Sequence, residues 1–269
     1  MKIDGLKKLG SGSASDVFLI DENTVIVVGK REDCFANYQS LFEKSKQIEG
    51  KITTIKYPKI HEVIASCENF PFGAMIEEYV SGVELREFDK FLSLAQKQEL
   101  GKNLALFLNQ LHSIKAVGDK EQEIKINLQK FDKSKNLLAE YLPQEYIDRM
   151  EKIRVDYQNF MHAKNFCLTH GDLNAGNILM LQNGELSGII DFGNMEFYVP
   201  QVEFAHMYFF DKAIYDAMVK NYVGQIKDAD VILVELVMRI RHFKNIVDFE
   251  EKRKNCIENI KNLLNSYKK

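Results

Sequence analysis

The stretch His170-Gly171-Asp172-Leu173-Asn174-Ala175-Gly176-Asn177-Ile178-Leu179, followed by Ile189-Ile190-Asp191-Phe192-Gly193-Asn194, sets three polar groups between apolar runs. The runs Phe166–Leu168, Ile178–Leu181 and Leu186–Ile190 read as short buried strands. Asn183-Gly184 supplies a turn, so 178–190 is expected to form a hairpin. That hairpin carries Asn177 at its entry and Asp191 at its exit, close together in space. An amide oxygen and a carboxylate converging there make a hard-oxygen site suited to Mg²⁺. Asp172, on the loop before Asn177, reaches the same pocket as a base or a hydroxyl-orienting group. Phosphoryl transfer uses such a set: a metal to neutralise phosphate oxygens and a carboxylate to align the nucleophile.

Towards the N-terminus the chain reads as strands. Leu6–Leu9, Val17–Ile20 and Thr24–Val28 are separated by Gly/Ser and by Asp21-Glu22-Asn23. A helix is expected over 34–48, with Phe35, Tyr38, Leu41, Phe42, Ser45 and Ile48 on one stripe. Strands follow near 59–65 and 74–79, and Ser81-Gly82 breaks the pattern. Beyond it the periodicity is helical: 92–112, 127–141, 144–162, 203–223, 228–249 and 250–267. The expected class is α+β, with a small β-rich lobe at 1–80 and a larger, mainly helical lobe at 81–269, which the family resemblance set out below would make the nucleotide-binding lobe and the catalytic and substrate-binding lobe.

Composition narrows the partners. Lys and Arg number 36 against 39 Asp and Glu, a net charge of -3, and no basic stripe is present. Nucleic acid is therefore not expected. The first residues contain no apolar core of a secretory signal, and no apolar run is long enough to cross a bilayer. Cys34, Cys67, Cys167 and Cys256 show no paired spacing, which fits a reducing compartment. A cytoplasmic enzyme without a membrane partner is expected.

His-x-Asp-x-x-x-x-Asn followed by Asp-Phe-Gly resembles the catalytic and metal loops of protein kinases. The wording of 170–179 and 189–194 looks more like the aminoglycoside phosphotransferase and choline kinase family. Leu111-His112-Ser113 and Glu78-Tyr79-Val80-Ser81-Gly82 carry the same resemblance, which spans roughly residues 5–205. It implies a two-lobed kinase-like fold that moves the γ-phosphate of ATP, with GTP as the alternative, onto the hydroxyl of a small molecule, with Mg²⁺ as the metal. Asp172 would be the catalytic carboxylate, Asn177 and Asp191 the metal ligands, and His170 a structural group of the loop. Asn174 stands where protein kinases carry a phosphate-contacting Lys.

The same resemblance implies a nucleotide site. Gly10, Ser11, Gly12, Ser13 and Ser15 lie in a small-residue loop whose amides can approach phosphates. Lys30, after strand 24–28, is the candidate to grip the α/β-phosphates, with Val28 an equal claimant to that position. Glu43, or Gln39 one turn earlier, would be its partner on helix 34–48. Glu78 and Val80 would present the hinge backbone that reads adenine.

In this family the acceptor lies between the catalytic loop and the helices after the metal loop. Acidic residues there (Glu196, Glu203, Asp211, Asp216, Glu235) alternate with Lys212, Lys220, Arg239 and Arg241. This mixture leaves an aminoglycoside, an amino-alcohol such as choline, and a sugar all open. A small protein kinase is disfavoured by the absence of an Ala-Pro-Glu signature after Gly193. A pseudokinase-like binding module is the reading from another class. A monomer or a homodimer is expected.

Overall fold

A computed structural model describes residues 3–12, 14–114 and 118–267. In chain order it contains β1 (Lys7–Ser11), β2 (Ser15–Asp21), β3 (Thr24–Gly29), α1 (Cys34–Ser45), β4 (Ile60–Ile64), β5 (Ala74–Glu78), β6 (Val83–Glu84), α2 (Leu85–Phe88) and α3 (Leu94–Ser113). There follow α4 (Lys120–Leu138), α5 (Gln144–Ala163), β7 (Cys167–Thr169), β8 (Ile178–Met180), β9 (Leu186–Ile189), β10 (Glu196–Tyr198), α6 (Gln201–Phe210), α7 (Lys212–Asn221), α8 (Asp228–His242) and α9 (Glu250–Ser266). Contact density separates two compact units. One comprises Met1–Ile114, His170–Met195 and Ala213–Tyr222; the other comprises Lys115–Thr169, Glu196–Lys212 and Val223–Lys269. The sheet of β1–β5, the catalytic-loop segment and the hairpin all lie in the first.

In the first unit, five antiparallel strands run in the order β1-β2-β3-β5-β4. The β2–β3 turn forms because the Asn23 N–H donates to Asp21 Oδ1 at 2.8 Å, a local bond that short carboxylates favour. It fixes a register in which Val17 faces Val27, and Val27 in turn faces Met75 on β5. Strand alternation then sorts the side chains by face. Val27 and Met75 pack with Cys34 and Tyr38 of α1, whereas Ile26 and Ala74 form a separate cluster with Phe18, Ile20, Val28 and Ile76.

The remaining elements of this unit hold the hairpin. β8 and β9 pair antiparallel with Ile178 opposite Ile189, and β6 adds to β8 with Val83 opposite Met180. Helix α3 starts at a capping box: Gln96 N–H donates to Ser93 Oγ and Ser93 N–H to Gln96 Oε1. The same Gln96 donates its Nε2 to Asn183 O at 3.1 Å, pinning the hairpin turn to the helix start. On the opposite side of β9, Ile189 N–H donates to Lys56 O at 3.0 Å. Leu104, Phe107, Leu108 and Leu111 of α3 are fully buried.

The second unit is helical, with Phe131, Tyr157, Val234, Ile240 and Ile260 inside it from α4, α5, α8 and α9. Two expectations change. Helix α4 begins at Lys120 and not near 127, because the Asp119 side chain caps it by accepting from Gln122 N–H at 3.1 Å. The single helix expected over 203–223 is broken at Asp211, whose extended backbone (φ -150, ψ 118) ends α6.

Phe107→Ala should destabilise the protein by about 3–5 kcal/mol, the usual result of emptying a fully buried aromatic site. Urea unfolding followed by circular dichroism measures this. A loss below about 1 kcal/mol would show that the site is not packed as described.

Candidate active site

The hairpin delivers the convergence expected from its ends. Ile190, next after β9, donates its N–H to Asn177 O at 2.9 Å, so the residues flanking β8 and β9 stay in register. Its carbonyl accepts from His170 Nε2 at 3.1 Å. His170 Nδ1 meanwhile accepts from Asp172 N–H at 3.3 Å. One neutral tautomer, with its proton on Nε2, satisfies both bonds. The His170 ring is fully buried and meets Phe192 edge-on at 4.5 Å between centroids. Phe192 also touches Phe107 and Tyr57. Gly171 is required here: its φ is +80, and a Cβ would sit 2.3 Å from Asn194 O.

Asp172 lies half-buried among amides. Asn177 donates its Nδ2 to Asp172 O at 2.9 Å and to Asp172 Oδ2 at 3.3 Å. That orientation turns Asn177 Oδ1 away, and this oxygen accepts no hydrogen bond from any described residue. Asp191 is exposed, and its carboxylate likewise accepts none from the described residues. Its backbone is left-handed (φ 64, ψ 63), the one such case outside glycine among the described residues. The conformation costs a β-carbon residue about 1 kcal/mol or more, least for Asp and Asn, and is typical of sites under functional constraint.

The nucleotide-site expectations fare unevenly. Gly10 and Ser11 end β1, Ser15 opens β2, and Gly12 N–H donates to Ser15 O at 2.8 Å to close the tip between them. Ser13 lies outside the described residues. Val80 is buried, and its N–H has no acceptor among the described residues, an open donor at the expected hinge. Glu78, two residues before it, pairs with Lys59 at 3.4 Å.

The expected Lys30–Glu43 clamp is not brought together. Lys30 donates to Gly12 O at 2.8 Å and pairs with Asp16 at 3.4 Å. Asp16 faces Val28 across the ladder, on the face of Phe18 and Ile26, opposite to the face that α1 covers. Hydrogen bonds from Ser11 and Lys8 hold the Asp16 carboxyl down at about 2. Glu43 is exposed and pairs with Lys46 at 2.7 Å. Val28 shares Lys30's face and is excluded for the same reason. The α1 face of β3 presents Val25 and Val27, with no lysine. Gln39 is exposed on α1.

Three groups take positions that were not anticipated. Glu77 alternates with Met75 on β5 and so faces α1. Burial first, and then the charge of Asp191, push its carboxyl up to about 8. Tyr38, which burial pushes up to about 12, bonds Ser15 Oγ at 2.7 Å beneath the glycine-rich turn. The period-two pattern of 74–78, once aligned to that of 24–29, would have marked Glu77. The third group is Asn174, whose amide binds Asp172 Oδ1 at 2.8 Å.

The family profile described as the phosphotransferase enzyme family, APH, matches residues 7–229. The chain belongs to this family. It is a phosphotransferase of the kinase type. Among solved structures, the streptomycin–ATP–APH(2'')-IIa ternary complex is 24% identical, with a TM-score of 0.71 over 98% of this chain and 92% of that one. The GDP complex of aminoglycoside 2'-phosphotransferase-IIIa reaches a TM-score of 0.76 at 16% identity, covering 98% and 92%. A macrolide 2'-phosphotransferase of type I gives 0.67 at 11% identity, covering 95% and 90%. The family member shares the kinase-like α+β fold of these proteins. No helix among its described residues is long and apolar enough to cross a membrane.

Because the folded protein holds Glu77 neutral and the unfolded chain does not, its stabilising effect is complete below the ordinary carboxylate range. It is lost as pH rises to about 8. Melting temperatures between pH 5 and 9 should therefore fall further for the wild type than for Glu77→Gln; parallel curves would refute this. Separately, Lys30→Ala and Glu43→Ala should each leave ATP affinity within about threefold by calorimetry, since Lys30 lies on the sheet face away from α1 and Glu43 is exposed on α1 and paired with Lys46. A tenfold or greater loss would restore the clamp.

Proposed function

We propose that this family member transfers the γ-phosphate of ATP, or of GTP, to a hydroxyl of a small molecule. The observation that carries the reading is the meeting of Asp172, Asn177 and Asp191 around the Ile190 peptide. Asp172 orients the acceptor hydroxyl and takes its proton as the oxygen attacks the γ-phosphorus. Asn177 Oδ1 and Asp191 would hold Mg²⁺, and their open oxygens suit a hard cation that takes its remaining ligands from phosphate and water. Bound there, Mg²⁺ supplies charge neutralisation on the β- and γ-phosphate oxygens. Gly10, Ser11, Gly12 and Ser15 cover the phosphates, and the Glu78–Val80 backbone reads the purine edge. Positioning and electrostatics supply the catalysis; no covalent enzyme intermediate is needed.

An aminoglycoside is the first acceptor to test, supported by the solved neighbours that bind such drugs. Amino-alcohols and sugars form the comparison set. Glu203 and Glu235, two of the acidic residues considered for a cationic drug, are fully buried in the second unit, and Glu235 pairs with Arg239 at 2.6 Å. Fewer carboxylates are left to meet a polycation than the sequence offers. One observation favours a second reading, a nucleotide-binding module without turnover: β3 lacks a lysine on its α1 face.

Asp172→Asn should keep MgATP affinity within about threefold and lower turnover by at least a hundredfold, measured as phosphate release and acceptor phosphorylation. Asp191→Asn retains a residue suited to the left-handed backbone, so it should fold normally yet lose Mg²⁺-dependent ATP binding. Full activity in either variant would overturn these roles. A wild type that binds MgATP but turns over no acceptor in the three pools, nor water, would favour the module.

A further inference from the structure

Asp172 is held by two amides. Asn177 reaches Oδ2 at 3.3 Å, and Asn174 donates its Nδ2 to Oδ1 at 2.8 Å. A carboxylate that orients a hydroxyl must keep one rotamer while its charge remains available. Asn177 holds only one carboxylate oxygen, and by the longer of the two bonds; its shorter bond goes to the Asp172 backbone carbonyl.

The Asn174 side chain is itself fixed at both ends. Its Oδ1 accepts from Gly176 N–H at 2.7 Å, which leaves the amide nitrogen facing Asp172. The backbone follows the same path: Asn174 N–H donates to Asp172 O at 2.8 Å, and Asn177 N–H to Asn174 O at 3.0 Å. The residue thus bridges the catalytic carboxylate and the turn that leads into Asn177. It does so with an amide whose two ends are chemically distinct, one only accepting and one only donating.

We propose that Asn174 is a positioning residue that locks the Asp172 carboxylate towards the acceptor hydroxyl. This rests on the reading of Asp172 given under Proposed function. A lysine at 174 would bring a formal charge for the phosphates. The asparagine brings none, and spends its one donor group on the carboxylate. In the step it supports, the acceptor oxygen bonds to the γ-phosphorus as the bond from that phosphorus to the β-bridging oxygen of the leaving ADP breaks. The hydroxyl proton passes to Asp172. In this role Asn174 acts through Asp172 and not on the phosphate or the acceptor.

The two ends of the amide can be separated by mutation. Asn174→Asp keeps an oxygen for Gly176 N–H, so the turn survives, but it replaces the donor to Asp172 with a second carboxylate. Asn174→Ala removes both bonds. The assay is phosphate release from MgATP with water as acceptor, together with calorimetric MgATP affinity and melting temperature. Both variants should lose at least tenfold in kcat, with the Asp variant no better than the Ala variant and MgATP affinity within about threefold of wild type.

If Asn174→Asp keeps kcat within about twofold while Asn174→Ala does not, the residue only caps the turn, and the proposal fails. It also fails if affinity and kcat fall together, since the side chain would then act on the nucleotide or its metal. Should Asn174→Asp not fold, the Ala variant decides on the same split between kcat and affinity. Asp172→Asn is run alongside. If that variant turns over normally, the reading of Asp172 itself is wrong; if it is inactive and Asn174→Asp is not, only the role of Asn174 is lost.

Discussion

The peptide of Ile190 is the joint on which the site depends. Its N–H is bonded to Asn177 O and its C=O to His170 Nε2, so the two backbone groups of one residue, on successive peptide planes, tie both loops together. Each bond contributes about 1 kcal/mol net, but a buried amide left unmatched costs more than that. Displacing either loop breaks one of these bonds, and loss of the second leaves the buried His170 ring without this partner. Asp191 follows this peptide directly, so its position is inherited from the joint and not from contacts of its own carboxylate.

Support for the joint comes from parts of the chain far apart in sequence. The start of α3 holds the hairpin turn through Gln96, the segment before β4 holds β9 through Lys56 O, and Phe192 is wedged among His170, Phe107 and Tyr57. The face towards α1 carries Tyr38 and Glu77, and β3 presents Val25 and Val27 there, with no lysine. A neutral phenol and a carboxyl held neutral by burial put no fixed positive charge there. In the proposed reading, neutralising a triphosphate at this face would fall to a cation held by Asn177 and Asp191 and to the amides of the glycine-rich turn.

The sequence made the fold and the centre of the site legible for a simple reason. The hairpin 178–190 is local, its turn is announced by Asn183-Gly184, and two residues flanking a hairpin must be neighbours. What it concealed depends on which face of a sheet a side chain takes relative to a helix elsewhere. Lys30 sits one residue beyond β3, and a shift of one position moves a side chain across the sheet. Only the pairing of Val27 with Met75, and of both with Tyr38, settles that question. Glu77 directly precedes the segment that reads as hinge, and the bond from Asn174 to Asp172 depends on the fold of the loop and not on its spacing. Helix α4 began early because Asp119, a cap rather than a periodic residue, marks its start.

The left-handed backbone at Asp191 bears on how such a protein can change over generations. Three residue types tolerate that conformation well: glycine, asparagine and aspartate. Their codons differ from one another by one or two bases, and both alternatives to aspartate are a single base away from it. Under the metal-holding role proposed for Asp191, inactivating substitutions at this position are thus among the easiest to reach and among the least damaging to folding. A lineage can shed its chemistry here while keeping its scaffold intact.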